Sequence, residues 1–375
     1  MKTMSTFPLP TMLLLLLLSL GELRCGMTGS ISQVTVPETG VYIVTMVNDL
    51  NETQWTYVIL QINGIDTDFK AYGYHNLTGG LSVAIPLSAG DRVGGKTNSI
   101  LASNGAIRLN LGFVGQDKNN FGTFHCKGDV WVDINGDLFA HFYRSYTKAG
   151  TWSTITKKYL FDVPKNGVYW VMARPHAPTY VWSTFVIGDG LFEAYTGEGL
   201  PSSASGAFYL TTPSQLSIEL VGALRLSGDT MLSYVYMEGN TPEQLGRAVS
   251  PMAFTSSVGL REGTYGADEK VAFCNDTDLD MGDMYNANTR VFSISISGTY
   301  VISLRGHPYK GKALKLDLYR NLQVVFTSFA DDWVSSGQAG VFDLAAGDTL
   351  YVVAGGKRTV GKNTMISIAL LRKKS

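Results

Sequence analysis

The stretch from residue 291 to residue 306, VFSISISGTYVISLRG, decides the fold. Apolar residues alternate with serines from Phe292 to Ser297, so a strand here places the apolar side chains on one face and the hydroxyls on the other. A Ser-Gly-Thr break at 297–299 follows, and Tyr300 then begins a second alternating run. The stretch therefore predicts a half-buried strand, a turn and a second strand.

Two further copies of this pattern lie earlier in the chain. Each copy has an apolar residue, five positions, Gly, one residue and then Tyr. The tyrosines are 127 and 131 residues apart, which indicates an internal repeat of one structural unit. The three copies are VTVPETGVYIVTM (34–46), FDVPKNGVYWVMA (161–173) and FSISISGTYVISL (292–304).

A second element, a strand followed by a tight turn and another strand, accompanies each copy. Its third turn residue lies 51, 48 and 50 residues after the glycine of the first element, at Asp91, Gln215 and Asp348. Short strands, regular turns and no helical periodicity predict an all-β chain of tandem antiparallel jelly-roll β-sandwiches. The predicted domains are residues 22–115 (shortened), 116–245 (divergent) and 246–375.

Composition and the N-terminus limit the class of protein. The net charge is −1 and only 16% of residues are charged, which disfavours a nucleic-acid partner. The apolar run from Met12 to Leu18 follows a lysine and is too short to span a bilayer, so residues 1–21 are predicted to be a cleaved signal peptide. Cleavage after Gly21 is favoured over cleavage after Cys25. The mature chain is therefore predicted to be secreted and extracellular, with no membrane span.

The cysteines and the glycosylation sequons concern this extracellular chain. If Cys25 survives cleavage, one thiol is left over, whereas its removal would allow a disulfide between Cys126 and Cys274. The sequence leaves both alternatives open. Asn-X-Ser/Thr sequons predict glycans on surface loops at Asn51, Asn76 and Asn275.

The third unit resembles the C1q-like family, the trimeric globular heads that share their shape with tumour necrosis factor. The spacing that carries the resemblance is met by Asp280, Tyr285, Phe292, Gly298 and Tyr300. The resemblance implies jelly-roll heads that recognise ligands and associate as trimers. With three units in one chain, it predicts either a trimer of chains or an intrachain pseudo-trimer.

The resemblance weakens towards the N-terminus. The second unit has Pro213-Ser214-Gln215 where the others have Ala-Gly-Asp. The first unit begins only about 18 residues before Gly40, whereas the third unit has about 47 residues before the equivalent glycine, Gly298. The first unit is therefore predicted to lack the opening strands, or to borrow them, and its open sheet edge should be covered.

No sequence motif predicts catalysis or a firm metal site. The five histidines are scattered, and no His-Glu-x-x-His, Gly-x-Ser-x-Gly or phosphate-binding loop occurs, so the chain is predicted not to be an enzyme and to need no cofactor. Asp276, Asp278 and Asp280 alternate as in an EF-hand, but Ala287 stands at the twelfth position. A solvated acidic loop is the favoured interpretation. A different Ca²⁺ cage is the alternative, because some C1q-like heads bind calcium.

Two loop-like stretches of the third unit, HPYKGKALK (307–315) and DDWVSSG (331–337), carry aromatic and charged residues suited to a polar ligand. The alternative is that Tyr309 and Trp333 only cover an edge of the core. The candidate ligand residues are His307, Tyr309, Lys310, Lys312, Asp331, Asp332 and Trp333.

Two functions follow from these predictions. The first is a secreted, non-enzymatic recognition protein of C1q-like type, with a role such as innate immunity, whose ligand is a glycan, a microbial surface or another protein. The alternative is a structural component of an adhesive or mineralised extracellular matrix, in which the heads serve as assembly units.

Overall fold

The structure, a computed structural model, is built almost entirely from antiparallel β-strands, which confirms the predicted fold class. Its described part contains no α-helix and one short 3₁₀ turn, Gly259–Arg261. The structure describes residues 30–49, 56–73, 79–97, 106–117, 121–126, 130–131, 142–144, 151–153, 158–162, 165–176, 181–187, 190–196, 202–212, 215–221, 225–226, 230–237, 252–274, 279–309, 312–331 and 335–374.

The described part of the first unit forms two sheets around an apolar core that includes Val44, Val58 and Phe69. One sheet has the order β1-β6-β3-β4 and the other has the order β5-β2-β7. The strands are β1 (Ser30–Thr35), β2 (Gly40–Asp49), β3 (Thr56–Ile62), β4 (Ile65–Gly73), β5 (Gly79–Leu87), β6 (Arg92–Thr97) and β7 (Ala106–Gly115).

The second unit forms two five-stranded sheets, β10-β8-β19-β13-β16 and β11-β12-β17-β14-β15, and a small pair, β18-β9. The strands are β8 (Phe121–Cys126), β9 (Val130–Trp131), β10 (Phe142–Arg144), β11 (Thr151–Ser153), β12 (Lys158–Asp162), β13 (Gly167–Arg174), β14 (Val181–Ile187), β15 (Gly190–Thr196), β16 (Ala204–Leu210), β17 (Gln215–Val221), β18 (Arg225–Leu226) and β19 (Met231–Tyr236).

The third unit repeats this strand order, with sheets β22-β20-β31-β25-β28 and β23-β24-β29-β26-β27 and a small pair, β21-β30. The strands are β20 (Ala253–Ser257), β21 (Gly263–Tyr265), β22 (Leu279–Met281), β23 (Tyr285–Asn286), β24 (Val291–Ser293), β25 (Gly298–Gly306), β26 (Leu314–Arg320), β27 (Gln323–Ala330), β28 (Ser336–Leu344), β29 (Thr349–Ala354), β30 (Arg358–Val360) and β31 (Met365–Lys373).

The first unit has fewer strands than the other two in its described part. Strands β5, β2 and β7 correspond to β28, β25 and β31, but no described strand corresponds to β20 or β22. As a result β7 is an edge strand, and no described strand pairs with its outer side. The domain boundaries themselves stay predictions.

The repeated Gly-x-Tyr motif has a physical reason in each unit. The hydroxyl of the tyrosine donates a hydrogen bond to the carbonyl oxygen four residues upstream and so fixes the loop that enters the strand, at 2.8 Å for Tyr42, 2.7 Å for Tyr169 and 2.7 Å for Tyr300. Burial raises the pKa of all three hydroxyls, that of Tyr42 to about 12. The glycine is needed because a Cβ at that position would come within 2.5 Å of the neighbouring strand in all three units.

The three units pack against one another through one sheet each, β5-β2-β7, β10-β8-β19-β13-β16 and β22-β20-β31-β25-β28, which are called the inner sheets here. Their facing side chains form a common apolar cluster that includes Ile43 and Ala84 of the first unit, Trp170 of the second, and Val301 and Ala369 of the third. Trp170 is fully buried there. The outward faces of the three sandwiches therefore form a second core within one chain.

Strand contacts between all three pairs of units close this arrangement into a ring. Strand β5 packs on β8, β13 and β19 of the second unit, and β16 packs on β20, β25 and β31 of the third. Strand β28 of the third unit packs back on β2, β5 and β7. The contact between the third and first units is tied by Arg108 Nη2, which donates to Gln338 Oε1 at 3.2 Å, and by the ion pair Arg372–Glu38 at 2.9 Å.

Candidate ligand-binding site

The hairpin between β26 and β27 of the third unit presents an unusual turn. Its two central residues, Asn321 and Leu322, both have left-handed backbone, with φ of 47° and 73°. The corresponding hairpin of the first unit, between β3 and β4, turns at Asn63 and Gly64 with φ of 55° and 77°. Turns of this type favour Asn-Gly, because glycine adopts positive φ without steric cost. A leucine in the glycine position is strained by about 1–2 kcal/mol.

This turn is anchored to the Ala-Gly-Asp turn that the sequence singled out. Asn321 Nδ2 donates to Asp348 Oδ1 at 2.5 Å, and Asn321 Oδ1 accepts from the amide of Thr349 at 2.9 Å. The first unit makes the same contacts, with Asn63 donating to Asp91 at 2.9 Å and accepting from the amide of Arg92 at 2.8 Å. The aspartate of the motif therefore holds the tip of the neighbouring hairpin.

The surroundings of Asp348, which anchors the hairpin turn, favour the ionised form of its carboxyl group. Burial alone would raise the pKa of Asp348, but hydrogen bonds from the amide of Ala345, from Asn321 and from Arg320 outweigh it, so the pKa lies below its ordinary value. Arg320 Nη2 lies 2.7 Å from Asp348 Oδ2. The Asp348 carboxylate therefore stays charged at neutral pH.

An apolar surface surrounds the tip. Leu322 is 80% exposed and Val324 is 49% exposed. Val324 pairs across the hairpin with Tyr319, whose ring stacks on that of Tyr351 at 5.0 Å, with 5° between the planes. The ammonium of Lys270 lies 4.8 Å from the centre of the Tyr351 ring. Leu322, Val324, Tyr319 and Tyr351 are called the hairpin-tip patch below.

The first unit also exposes an aliphatic side chain beside its equivalent turn, where Ile65 is 72% exposed. Among the described residues, the large hydrophobic side chains that are exposed are Ile65, Tyr209, Leu322 and Val324. Three of these four belong to the two hairpins. In the described part of the chain, exposed large hydrophobic side chains are therefore concentrated at these two hairpins.

The predicted ligand loops lie at the other end of β26, about 20 Å from the hairpin tip. The structure brings the two loops together, because His307 Nδ1 lies 2.8 Å from Ser335 Oγ. Burial, with smaller contributions from Arg305 and Lys362, lowers the pKa of His307 to about 4. His307 thus has a structural contact, whereas Lys312 is exposed and Tyr309 and Asp331 are half-buried. Lys310, Asp332 and Trp333 lie outside the described residues.

Several other predicted sites fall wholly or partly outside the described part of the chain. These are the sequons at Asn51, Asn76 and Asn275, together with Cys25 and the side chain of Cys126. Cys274 carries a free thiol, and its Sγ lies 2.9 Å from the carbonyl oxygen of Val258.

The aspartates considered for Ca²⁺ are only partly described. Asp276 and Asp278 lie outside the described residues, whereas Asp280 Oδ1 accepts from the amide of Met284 at 3.3 Å. Burial raises the pKa of Asp280. In the described part, no three His, Cys, Asp or Glu side chains come together to hold a metal ion. The calcium alternative stays a prediction.

Comparisons with known proteins give jelly-roll structures. No protein-family model matches the chain, and no curated protein matches it. The globular domain of zebrafish complement 1qA is 20% identical over 33% of this chain and 99% of that chain, with a TM-score of 0.28. Murine APRIL is 16% identical over 32% of this chain and 97% of that chain, with a TM-score of 0.27. A triple jelly-roll protein of an archaeal virus is 10% identical over 93% of this chain and 87% of that chain, with a TM-score of 0.23.

The fold defines the chain as an all-β protein of jelly-roll sandwiches. Among the described residues, no helix is long and apolar enough to cross a membrane. The sequence did not single out the hairpin-tip patch, because Asn-Leu is not a standard hairpin signal. The available signal was the equivalence of Asn321 and Asn63, since each precedes the aspartate of its Ala-Gly-Asp turn by nearly the same number of residues.

Proposed function

We propose that the chain is a secreted, non-enzymatic binding protein of C1q-like type, and that it binds another protein through the hairpin-tip patch of its third unit. The sequence predictions left three ligand classes: a glycan, a microbial surface or a protein. A protein ligand fits the patch best, because exposed aliphatic side chains gain free energy when an apolar protein surface covers them. Secretion rests on the predicted signal peptide at residues 1–21.

One observation carries the proposal. Leu322 occupies a left-handed backbone position that Gly64 occupies in the first unit, and it is 80% exposed. A buried leucine could offset its strain by packing in the core, but this side chain lies largely in solvent. Backbone strain that no packing of the side chain offsets is typical of functional sites.

The patch is also held rigidly, which favours binding. Asn321 and Asp348 fix the turn, and the stacked rings of Tyr319 and Tyr351 support its base. A ligand that binds such a surface loses little free energy to ordering it. The patch therefore suits recognition by a preformed surface.

The full-length mature chain should be tested on one array of purified extracellular proteins and one array of glycans, beside the variant Leu322→Gly. Glycine relieves the strain at this position, so the variant should unfold at a denaturant concentration equal to or above that of the wild type. We expect protein-array signals that fall at least about tenfold in the variant, since burial of a leucine contributes about 1.5–3 kcal/mol.

The matched control is Tyr209→Ser, which removes an exposed large hydrophobic side chain of strand β16 in the second unit, outside both hairpins, and should leave the signals unchanged. Binding to proteins or glycans that Leu322→Gly does not weaken would refute the proposed site. Recovery of the protein only from insoluble matrix, with no array signal, would favour the structural alternative.

A further inference from the structure

Strand β7 of the first unit has a free edge at the position where the other two units have a further strand. In the second unit β8 pairs with β19, and in the third unit β20 pairs with β31, whereas no described strand pairs with the outer side of β7. The register is also equivalent, because Tyr42 pairs with Phe113 of β7. In the same way Tyr300 pairs with Leu370 of β31. An unpaired edge presents a row of main-chain donors and acceptors to an incoming strand.

The core of the first unit is less well covered along this edge than the core of the third. In the third unit Ile368 and Leu370 of β31 are fully buried, and Phe254 of β20 pairs with Ile368. The equivalent residues of β7, Leu111 and Phe113, are only half-buried, although they pack against the core of the first unit. An apolar side chain in the place of Phe254 would therefore remove further apolar surface from water.

The boundary between the third and first units differs from the other two boundaries at the same place. At those two, a threonine of the further strand donates a hydrogen bond to a main-chain carbonyl oxygen of the neighbouring unit. Thr123 of β8 donates to Ala84 at 2.6 Å, and Thr255 of β20 donates to Ala207 at 2.7 Å. Val341 of β28 is the residue equivalent to both alanines. Among the described residues, no strand of the first unit lies where it could supply this hydroxyl to Val341.

Strand β20 shows which side chains fit the edge of β7. β7 has Leu111-Gly112 where β31 has Ile368-Ala369, a pair of similar size. β19 has Tyr234-Val235 at this place, which is bulkier. Strand β20, whose Ala253-Phe254 pairs with the Ile-Ala of β31, is therefore a better template for a partner of β7 than β8 is.

We propose that the free edge of β7 binds an extended segment of a partner protein, which pairs antiparallel to β7 as β20 pairs with β31. By the register of β20, the segment has a small residue opposite Gly112, an apolar residue opposite Leu111, and Ser or Thr opposite Asn110. Its hydroxyl group would reach Val341 and so extend the interface between the units. Main-chain hydrogen bonds would supply affinity and the side chains specificity. Because β8 and β20 are paired within their own units, we assign the segment to another polypeptide.

The probe is a synthetic peptide of residues 250–258, SPMAFTSSV, which contains β20. Fluorescence anisotropy of the labelled peptide measures its binding to the full-length mature chain. We expect saturable binding, and the same binding to the variant Leu322→Gly, because Leu322 belongs to the third unit and not to the edge of β7. Absence of saturable binding, or weaker binding to Leu322→Gly, would overturn the proposal.

Two peptides with a methylated main-chain nitrogen test whether binding is strand pairing. In the third unit the amide of Leu370 donates to the carbonyl oxygen of Met252 at 3.0 Å, so strand alternation directs the main-chain polar groups of Phe254 towards β31. Those of Thr255 point the other way, towards β22. Methylation at Phe254 should therefore weaken binding by about tenfold, whereas methylation at Thr255 should change it little. Equal effects of the two methyl groups would contradict pairing with β7.

Amide hydrogen exchange of the full-length mature chain locates the bound peptide. The amides of Leu111 and Phe113 are equivalent to amides of β31 that face β20, so they should exchange at least about tenfold more slowly at saturating peptide. Slow exchange of these amides before peptide is added would show that a second copy or another part of this chain already covers the edge. Faster exchange in β20 would show that the peptide displaces that strand. Either result would refute the assignment of the edge to a partner protein.

Discussion

Thr255 of the third unit binds both main-chain polar atoms of Ala207 in the second unit. Its Oγ1 accepts a hydrogen bond from the amide at 3.0 Å and lies 2.7 Å from the carbonyl oxygen. At the boundary between the first two units, Thr123 donates to the carbonyl oxygen of Ala84 at 2.6 Å, and the amide of Ala84 donates to Ser233 at 3.0 Å. Both alanines lie on edge strands, β16 and β5, and no described strand of their own sheets pairs with the outer side of either. Hydroxyl groups of the neighbouring unit therefore form hydrogen bonds with the outer main-chain polar groups of these edge strands.

The first prediction concerns Thr255→Val, which keeps the shape of the side chain but removes its hydroxyl. The amide and the carbonyl of Ala207 then lose their partner in a buried interface, so we expect the free energy of unfolding to fall by about 1–3 kcal/mol. Urea denaturation of the full chain measures this. Thr264→Val, at an exposed position, is the control and should change the free energy by less than about 0.5 kcal/mol. Equal effects of the two variants would show that the inter-unit hydrogen bonds contribute nothing.

The second prediction concerns the anchor of the hairpin tip. In Asp348→Asn the carboxylate that accepts from Ala345, Asn321 and Arg320 loses its charge, so we expect a loss of about 1–3 kcal/mol at neutral pH. Because the pKa of Asp348 is lowered in the folded state, its stabilisation is complete above the unfolded pKa of about 4 and is lost as the pH falls through the folded pKa.

The difference in unfolding free energy between wild type and Asp348→Asn should therefore shrink as the pH falls below about 4. Chemical denaturation at a series of pH values measures it. Asp268→Asn, at an exposed aspartate, is the control and should show little difference at any pH. A difference for Asp348→Asn that stays constant down to the lowest pH would contradict the assigned role of the charge.

The strand pattern of the fold could be predicted from the sequence, but the packing of the units could not. The alternation in 291–306 predicts strands whose core side chains include Phe292 and Tyr300, and both are fully buried. The same alternation predicts a polar or exposed opposite face, whereas Val301 is fully buried against the other units and Ser303 is nearly so. A period of two assigns residues to faces but does not say whether a second surface covers the outer face.

The candidate site was harder to predict, for a reason that lies in single residues. Asn63-Gly64 predicts a hairpin turn, and the structure confirms it with left-handed backbone at both residues. Asn321-Leu322 forms the same turn without the glycine. The hydrogen bond from Asn321 to Asp348 stabilises this turn, for which leucine has a low intrinsic propensity. His307 is a predicted ligand residue, and its ring lies 2.8 Å from Ser335 Oγ because two loops that are separate in the sequence meet there. Such tertiary contacts override local signals.

The third prediction concerns His307 and the pH dependence of stability. Burial holds its pKa at about 4, whereas an unfolded histidine titrates near 6.5. Between these values the unfolded chain binds more protons, so the stability that neutral His307 contributes falls as the pH drops from about 6.5 to about 4, by up to about 3 kcal/mol. In His307→Gln, which cannot titrate, the decline over this interval should be smaller. Chemical denaturation at a series of pH values measures both chains. His176→Gln is the control and should keep the wild-type decline. A decline in His307→Gln as large as that of the wild type would contradict the prediction.

The fourth prediction concerns the size of the protein in solution. The inner sheets of the three units already cover one another within one chain, and the shared cluster buries Trp170, Val301 and Ile43 almost completely. Among the described residues, no comparable apolar face then remains to join three chains, so light scattering should give about one chain mass, at most the 40.7 kDa of the full sequence apart from glycans. Trp170→Ala opens a cavity in the cluster and should lower the free energy of unfolding by about 3–5 kcal/mol. A mass of about three chains would mean that the third units associate between chains instead.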